Sequence, residues 1–101
     1  MTEMARENGI HVVLCSVLPV YDYPWRPGLQ PAPTIVALNA WLRRYAAAHG
    51  AVYVDFHSAL ADARQGMRPE FAEDGVHPNE AGYRVMAALV APAIEAALQQ
   101  R

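Results

Sequence analysis

Apolar residues fill positions 10 to 18 almost completely, broken only by His11 and Ser16, and later they recur every three or four positions. A continuous run of that kind predicts a strand buried on both faces of a parallel sheet. Ahead of it, Thr2 to Asn8 reads as the last turns of a helix, stopped by Gly9 as a left-handed cap. Behind it, Pro19 ends the strand. Five prolines fall between Pro19 and Pro33, with Tyr21, Tyr23 and Trp25 among them. That composition excludes regular structure and predicts a semi-rigid aromatic loop. It leaves the carboxyl end of a parallel strand, where α/β folds place their ligands.

Helical spacing begins at Ile35 and continues through Leu38, Leu42, Tyr45 and Ala46, with Arg43 and Arg44 on the other side and Gly50 closing the segment. This predicts an amphipathic helix of about four turns. Val52 to Phe56 predicts a second short strand. Ser58 to Gln65 predicts a short helix, with Ser58 as N-cap and Gly66 as its stop. The loop from Met67 to Pro78 leads to Asn79, a good N-cap for a final helix. The apolar face of that helix includes Tyr83, Met86, Leu89, Val90 and Ile94. Pro92 falls inside it and should kink or divide it.

Two parallel strands joined by a helix form a right-handed crossover unit, the building block of a doubly wound, flavodoxin-like sheet. The fold class is therefore α/β, as part of a three-layer α/β/α domain. Two strands alone would leave an apolar edge open, so residues 1–101 read as the C-terminal part of one larger domain.

Composition sharpens this picture by exclusion. At 101 residues the chain has no room for two domains, and its 53% apolar content is enough for a packed core. A net charge of −2 offers no basic footprint, which argues against nucleic acid and anionic membranes as partners. The N-terminus is polar and unlike a signal peptide, so the default compartment is the cytoplasm, although a longer secreted parent is compatible with these residues. The longest apolar run is too short for a membrane span. Cys15 is the single cysteine; it cannot make an internal disulfide and is expected to be a small buried hydrophobe. His11, His49, His57 and His77 lack the spacing of a metal site, and no metal or other cofactor is implied.

Candidate chemistry concentrates in Asp74-Gly75-Val76-His77-Pro78-Asn79. In a tight turn, the three-residue spacing brings the Asp74 carboxylate within reach of the His77 ring. A carboxylate that accepts from one ring nitrogen fixes the tautomer and leaves the other free to take a proton from a hydroxyl nucleophile. The plainer alternative is a loop histidine beside a turn-forming aspartate. Asp55, at the end of the second strand, is a second candidate acid, set against a structural role bonding nearby amides.

The string from Asp74 to Asn79, continuing into Gly82-Tyr83 and a helix, resembles the last sequence block of the SGNH (GDSL-type) esterase and lipase family. In that family an Asp-x-x-His element supplies the acid and base for a serine nucleophile. The resemblance implies that Asp74 and His77 are the catalytic pair and that the substrate is a small carboxylic ester, such as an acyl or acetyl ester. It assigns the acid role to Asp74 rather than Asp55. The family's Gly-Asp-Ser, glycine and asparagine blocks have no counterpart here. Ser16 and Ser58 are the only serines, and neither lies in a glycine-flanked elbow. Ser16 is expected to satisfy a backbone group beside the sheet. The chain is accordingly expected to be inactive alone. The alternative reading is a non-catalytic α/β module that self-associates, or pairs with a complementing N-terminal half, through its open strand edge.

Overall fold

The computed structural model describes residues 2–99, so Met1, at the head of the polar N-terminal segment, lies outside the described residues. The elements are α1 (Thr2–Glu7), β1 (Val13–Cys15), α2 (Ala32–His49), β2 (Val52–Val54), α3 (Phe56–Leu60) and α4 (Glu80–Leu98). β1 and β2 pair in parallel, with Val13 opposite Val52 and Cys15 opposite Val54. Side chains alternate across a strand, so Tyr53 and Val54 face opposite sides of the sheet. Tyr53 lies toward α2, where its hydroxyl donates to the Asn39 carbonyl at 3.5 Å. Val54 lies in the core against α4. The result is the three-layer α/β/α arrangement with two parallel strands and flanking helices.

The core gathers Val54, Phe56, Leu60, Met67 and Ala72, with Val85, Met86 and Val90 of α4 packed on it. Leu60 is fully buried, and sequestering a side chain of this size contributes about 1.5–3 kcal/mol.

The strand predicted over Ile10 to Leu18 is corrected to three residues. Ladder pairing needs a partner, and β1 has only the short β2 beside it. Among the described residues its other edge carries no strand, so Ile10 and Val17 are exposed, and so is Cys15, against the expectation of burial. Gly9 has the left-handed conformation expected of it, with φ 73°.

α2 starts inside the proline-rich segment. Pro31 precedes its first turn and Pro33 lies within it, where a missing N–H costs no helical bond. The buried stripe of α2 runs through Ala32, Ile35, Asn39 and Ala46, whereas Leu38 is exposed. Asn39 is the polar member: it accepts from the Val17 amide at 2.7 Å and donates to the Val17 carbonyl at 3.0 Å, tying α2 to the end of β1.

The third helix also differs from expectation. It spans Phe56–Leu60, and its N-cap is Asp55 rather than Ser58. A carboxylate one residue before the first turn reaches the orphan amides better than a hydroxyl already inside the helix. α4 continues past Pro92 as one helix of 19 residues. By length and mean hydropathy it is apolar enough to cross a bilayer, contrary to the expectation that no segment would be. Its inward stripe nevertheless packs on the core, and Arg84 pairs with Glu80 on the outside, which accounts for α4 as a layer of the α/β fold.

Candidate active site

The loop after α3 is tied to the start of α4 by one residue, Asn79. Its amide donates to the Phe71 carbonyl at 2.8 Å, and its side-chain nitrogen donates to the Glu70 carbonyl at 3.1 Å. Its side-chain oxygen accepts from the Gly82 amide at 3.0 Å, which caps α4 as expected. Gly82 permits the close approach: a Cβ there would lie 2.8 Å from the Phe71 oxygen and 3.1 Å from the Pro78 Cβ. With Asn79 anchored in this way, His77 is carried two residues upstream at the rim of a shallow hollow of about 320 Å³ between Glu73, Asp74, Pro78 and Asn79.

The turn that presents His77 is built around Asp74. One carboxylate oxygen accepts from the amides of Val76 and His77, each at 2.8 Å. The other lies 2.7 Å from His77 Nδ1. Gly75 takes φ 78° between them, a conformation that costs a side-chain-bearing residue about 1–2 kcal/mol. The His77 side-chain bond, followed by the two backbone amides, holds the Asp74 carboxyl well below the usual carboxylate range. An ionised carboxylate only accepts, so the proton in this bond sits on Nδ1, and in the neutral ring the lone pair is on Nε2. Nε2 has no hydrogen-bond partner among the described residues, and the side chain is 73% exposed. The arrangement presents a base with a fixed tautomer to whatever approaches the hollow.

The depressed carboxyl sets a pH dependence with a definite sign. Its native hydrogen bonds are fully present above the ordinary Asp value of about 3.9 and are lost only as pH falls through the lower folded value. The amide resonances of Val76 and His77 are therefore expected to hold position as pH falls past about 3.9. Titration of this turn at the ordinary value would contradict the geometry.

The other sequence candidates lie elsewhere. Asp55 accepts from the Ser58 amide at 3.0 Å and from its hydroxyl at 2.6 Å, and pairs with Arg43 at 2.8 Å. Burial alone would raise its carboxyl, but the Ser58 bonds and the Arg43 charge outweigh it and lower it. Its bonding is structural, and no hydrogen bond joins it to His77. Ser16 Oγ accepts from the His57 amide at 2.9 Å, fastening the end of β1 to α3 as expected for a residue beside the sheet. Neither serine is hydrogen-bonded to His77. Among the described residues there is no group of three or more His, Cys, Asp or Glu able to hold a metal ion. A separate cleft of about 410 Å³ lies between α2, β2 and α3. It shares no lining residue with the hollow at His77. His57 lines it, with Nε2 buried and lacking a hydrogen-bond partner.

From sequence, the aromatics between Tyr21 and Trp25 could equally line an acyl or leaving-group pocket or hold their own loop on the sheet, and they were not among the candidate site residues. Trp25, in the proline-rich loop, places its ring centroid 5.9 Å from that of His77, at 34°, and 5.3 Å from that of Tyr23. The loop is held by Asp22, whose carboxylate accepts from the amides of Gly28 at 2.8 Å, Tyr23 at 3.0 Å and Gln30 at 3.3 Å. Tyr21 docks the loop on the turn at residues 62–67, with its Cβ against Gly66 and the Arg64 guanidinium 4.5 Å from its ring centroid. Aromatics between prolines at the carboxyl end of a strand were the available signal. Their alignment with a residue about fifty positions away was not.

Comparison with known proteins identifies the family and the fold. Residues 1–85 match the GDSL-like Lipase/Acylhydrolase family. The chain is 36% identical over 93 residues to GDSL lipase Rv0518 of Mycobacterium tuberculosis, covering 91% of this chain and 37% of that protein. Among solved structures it resembles a GDSL-like lipase from Bacteroides thetaiotaomicron, with TM-score 0.88, 39% identity, and coverage of 95% of this chain and 48% of that one. It also resembles a putative acylhydrolase from Bacteroides fragilis, with TM-score 0.89, 36% identity, and coverage of 96% and 48%. The chain thus spans half or less of the length of these relatives. With the family match running over most of its residues and the fold shared with solved members, the chain belongs to the GDSL-like lipase/acylhydrolase family.

Proposed function

We propose that this chain supplies the acid and base of a Ser-His-Asp ester hydrolase, with His77 as general base and acid and Asp74 as its partner. The observation that carries this reading is the 2.7 Å bond from His77 Nδ1 to a carboxylate already fixed by two backbone amides. In the first half-reaction, Nε2 takes the proton from a serine hydroxyl as the oxygen attacks the ester carbonyl. As the tetrahedral intermediate collapses, the carbon–oxygen bond to the alcohol breaks, and His77 returns the proton to the departing oxygen. In the second half, His77 takes a proton from water as it attacks the acyl-serine, and then returns that proton to the serine oxygen as the carbon–oxygen bond to serine breaks and the carboxylic acid leaves. Asp74 stays ionised throughout and stabilises the imidazolium.

The nucleophile and the oxyanion donors belong to a complementing portion of the domain. Ser16 and Ser58 are committed to other bonds, and the relatives are about twice as long or longer. The open edge of β1, flanked by exposed Ile10 and Val17, is the seat proposed for that portion. A second copy of this chain on the same edge is the alternative occupant, and the same exposed edge favours it.

Mixing the purified chain with the Gly-Asp-Ser half of a family member tests this reading. The chain alone is expected to leave a short activated ester at the buffer rate, whereas the pair restores turnover. Hydrolysis by the chain alone, lost in His77→Ala, would place the nucleophile within these residues and overturn the proposed division of labour. Sedimentation of the chain alone distinguishes a self-paired dimer from an unpaired monomer.

A further inference from the structure

The proposed mechanism places the departing alcohol, rather than the acyl group, beside His77, because Nε2 must lie within about 3 Å of the oxygen it protonates. The acyl carbon remains bonded to the serine oxygen, and its chain extends away from the imidazole. What stands next to the imidazole therefore reads the alcohol. In this chain it is Trp25, 61% exposed, tilted 34° to the His77 ring and in contact with the Tyr23 ring. An exposed indole is a flat apolar surface that accepts another ring face, and the loop carrying it is held in advance by the three amides on Asp22.

We propose that Trp25 is the platform for the alcohol portion of the ester and selects alcohols that present a flat ring face, either aromatic or sugar-like. This rests on His77 being the general acid of the reaction. Both ring types share the chemistry that matters, a planar or near-planar face with C–H groups or π electrons to lay on the indole. A linear alcohol of the same carbon number covers less of that surface and loses more conformational freedom on binding.

The test varies the alcohol while the acyl group is held constant. In the complete hydrolase domain carrying this chain, kcat/KM is measured for the acetate esters of phenol, of a pyranose and of hexanol, and then for phenyl esters of increasing acyl length. In Trp25→Ala, the preference for ring over linear alcohols is expected to fall about 3- to 10-fold, chiefly through KM, and Trp25→Phe should restore most of it for the phenyl ester. A drop confined to the phenyl ester would identify the aromatic ring as the natural face, and a drop confined to the pyranose ester a sugar. An equal loss on all alcohols, or a loss that follows acyl length, would overturn the proposal.

A binding readout separates failure of this proposal from failure of the catalytic reading. Phenol and methyl pyranoside are titrated into the chain while the indole N–H resonances of Trp25 and Trp41 are followed. Saturable shifts at Trp25 and not at Trp41 sustain the platform even if no hydrolysis is found. No shift at Trp25 with either compound overturns it whatever the activity.

Discussion

Asp74→Asn in the complete hydrolase domain is expected to lower kcat about 10⁴-fold while leaving KM nearly unchanged, the size of effect seen when a triad carboxylate becomes an amide. The reason lies in how Asp74 is held. One of its oxygens is committed to the Val76 and His77 amides, so the Asn carbonyl oxygen must take that place. The NH₂ group is then left facing His77 Nδ1, where Asp74 now offers an acceptor at 2.7 Å. It donates, Nδ1 becomes the acceptor, and the imidazole proton moves to Nε2. The ring remains in position but can no longer take a proton from a hydroxyl. Because the turn is preserved, substrate binding is preserved with it, and steady-state kinetics with a short-chain ester will place the loss in kcat. A reduction below tenfold would mean that the tautomer is set by some other group.

The parts of this molecule that were legible in the sequence are those fixed by near neighbours in the chain. Gly50 closes α2 in the left-handed conformation with φ 69°, and Asn79 caps α4, because capping involves residues within one turn. The bond between Asp74 and His77 follows from a three-residue spacing around a glycine. Asp55 took its structural role for the same local reason, although it displaced Ser58 as the cap of α3.

The parts that were not legible depend on what lies across the sheet. A continuous apolar run implies two covered faces and two paired edges, but β1 has one neighbour, so Cys15 and Ile10 meet solvent. The broad apolar face of α4 narrows in the same way. Val85, Met86 and Val90 pack on the core while Tyr83 and Ile94 remain exposed, because among the described residues only two strands lie beneath the helix. Trp25 belongs to this second group. Its loop reads correctly as irregular and aromatic, yet the contact with His77 exists only once α4 and the strand end have been brought together.

The central claim is that His77 is the base that activates a serine. The most direct measurement compares wild type and His77→Ala in the complete domain, following both ester turnover and the rate at which a phosphonate ester labels the serine. Both reactions need the hydroxyl proton removed, and neither depends on a particular alcohol. The account predicts that His77→Ala lowers each by at least about 10³-fold with the fold intact, since removing one member of such a unit forfeits most of its effect. Labelling and turnover within tenfold of wild type would contradict it and would return Asp74 and His77 to the role of a structural turn ahead of α4.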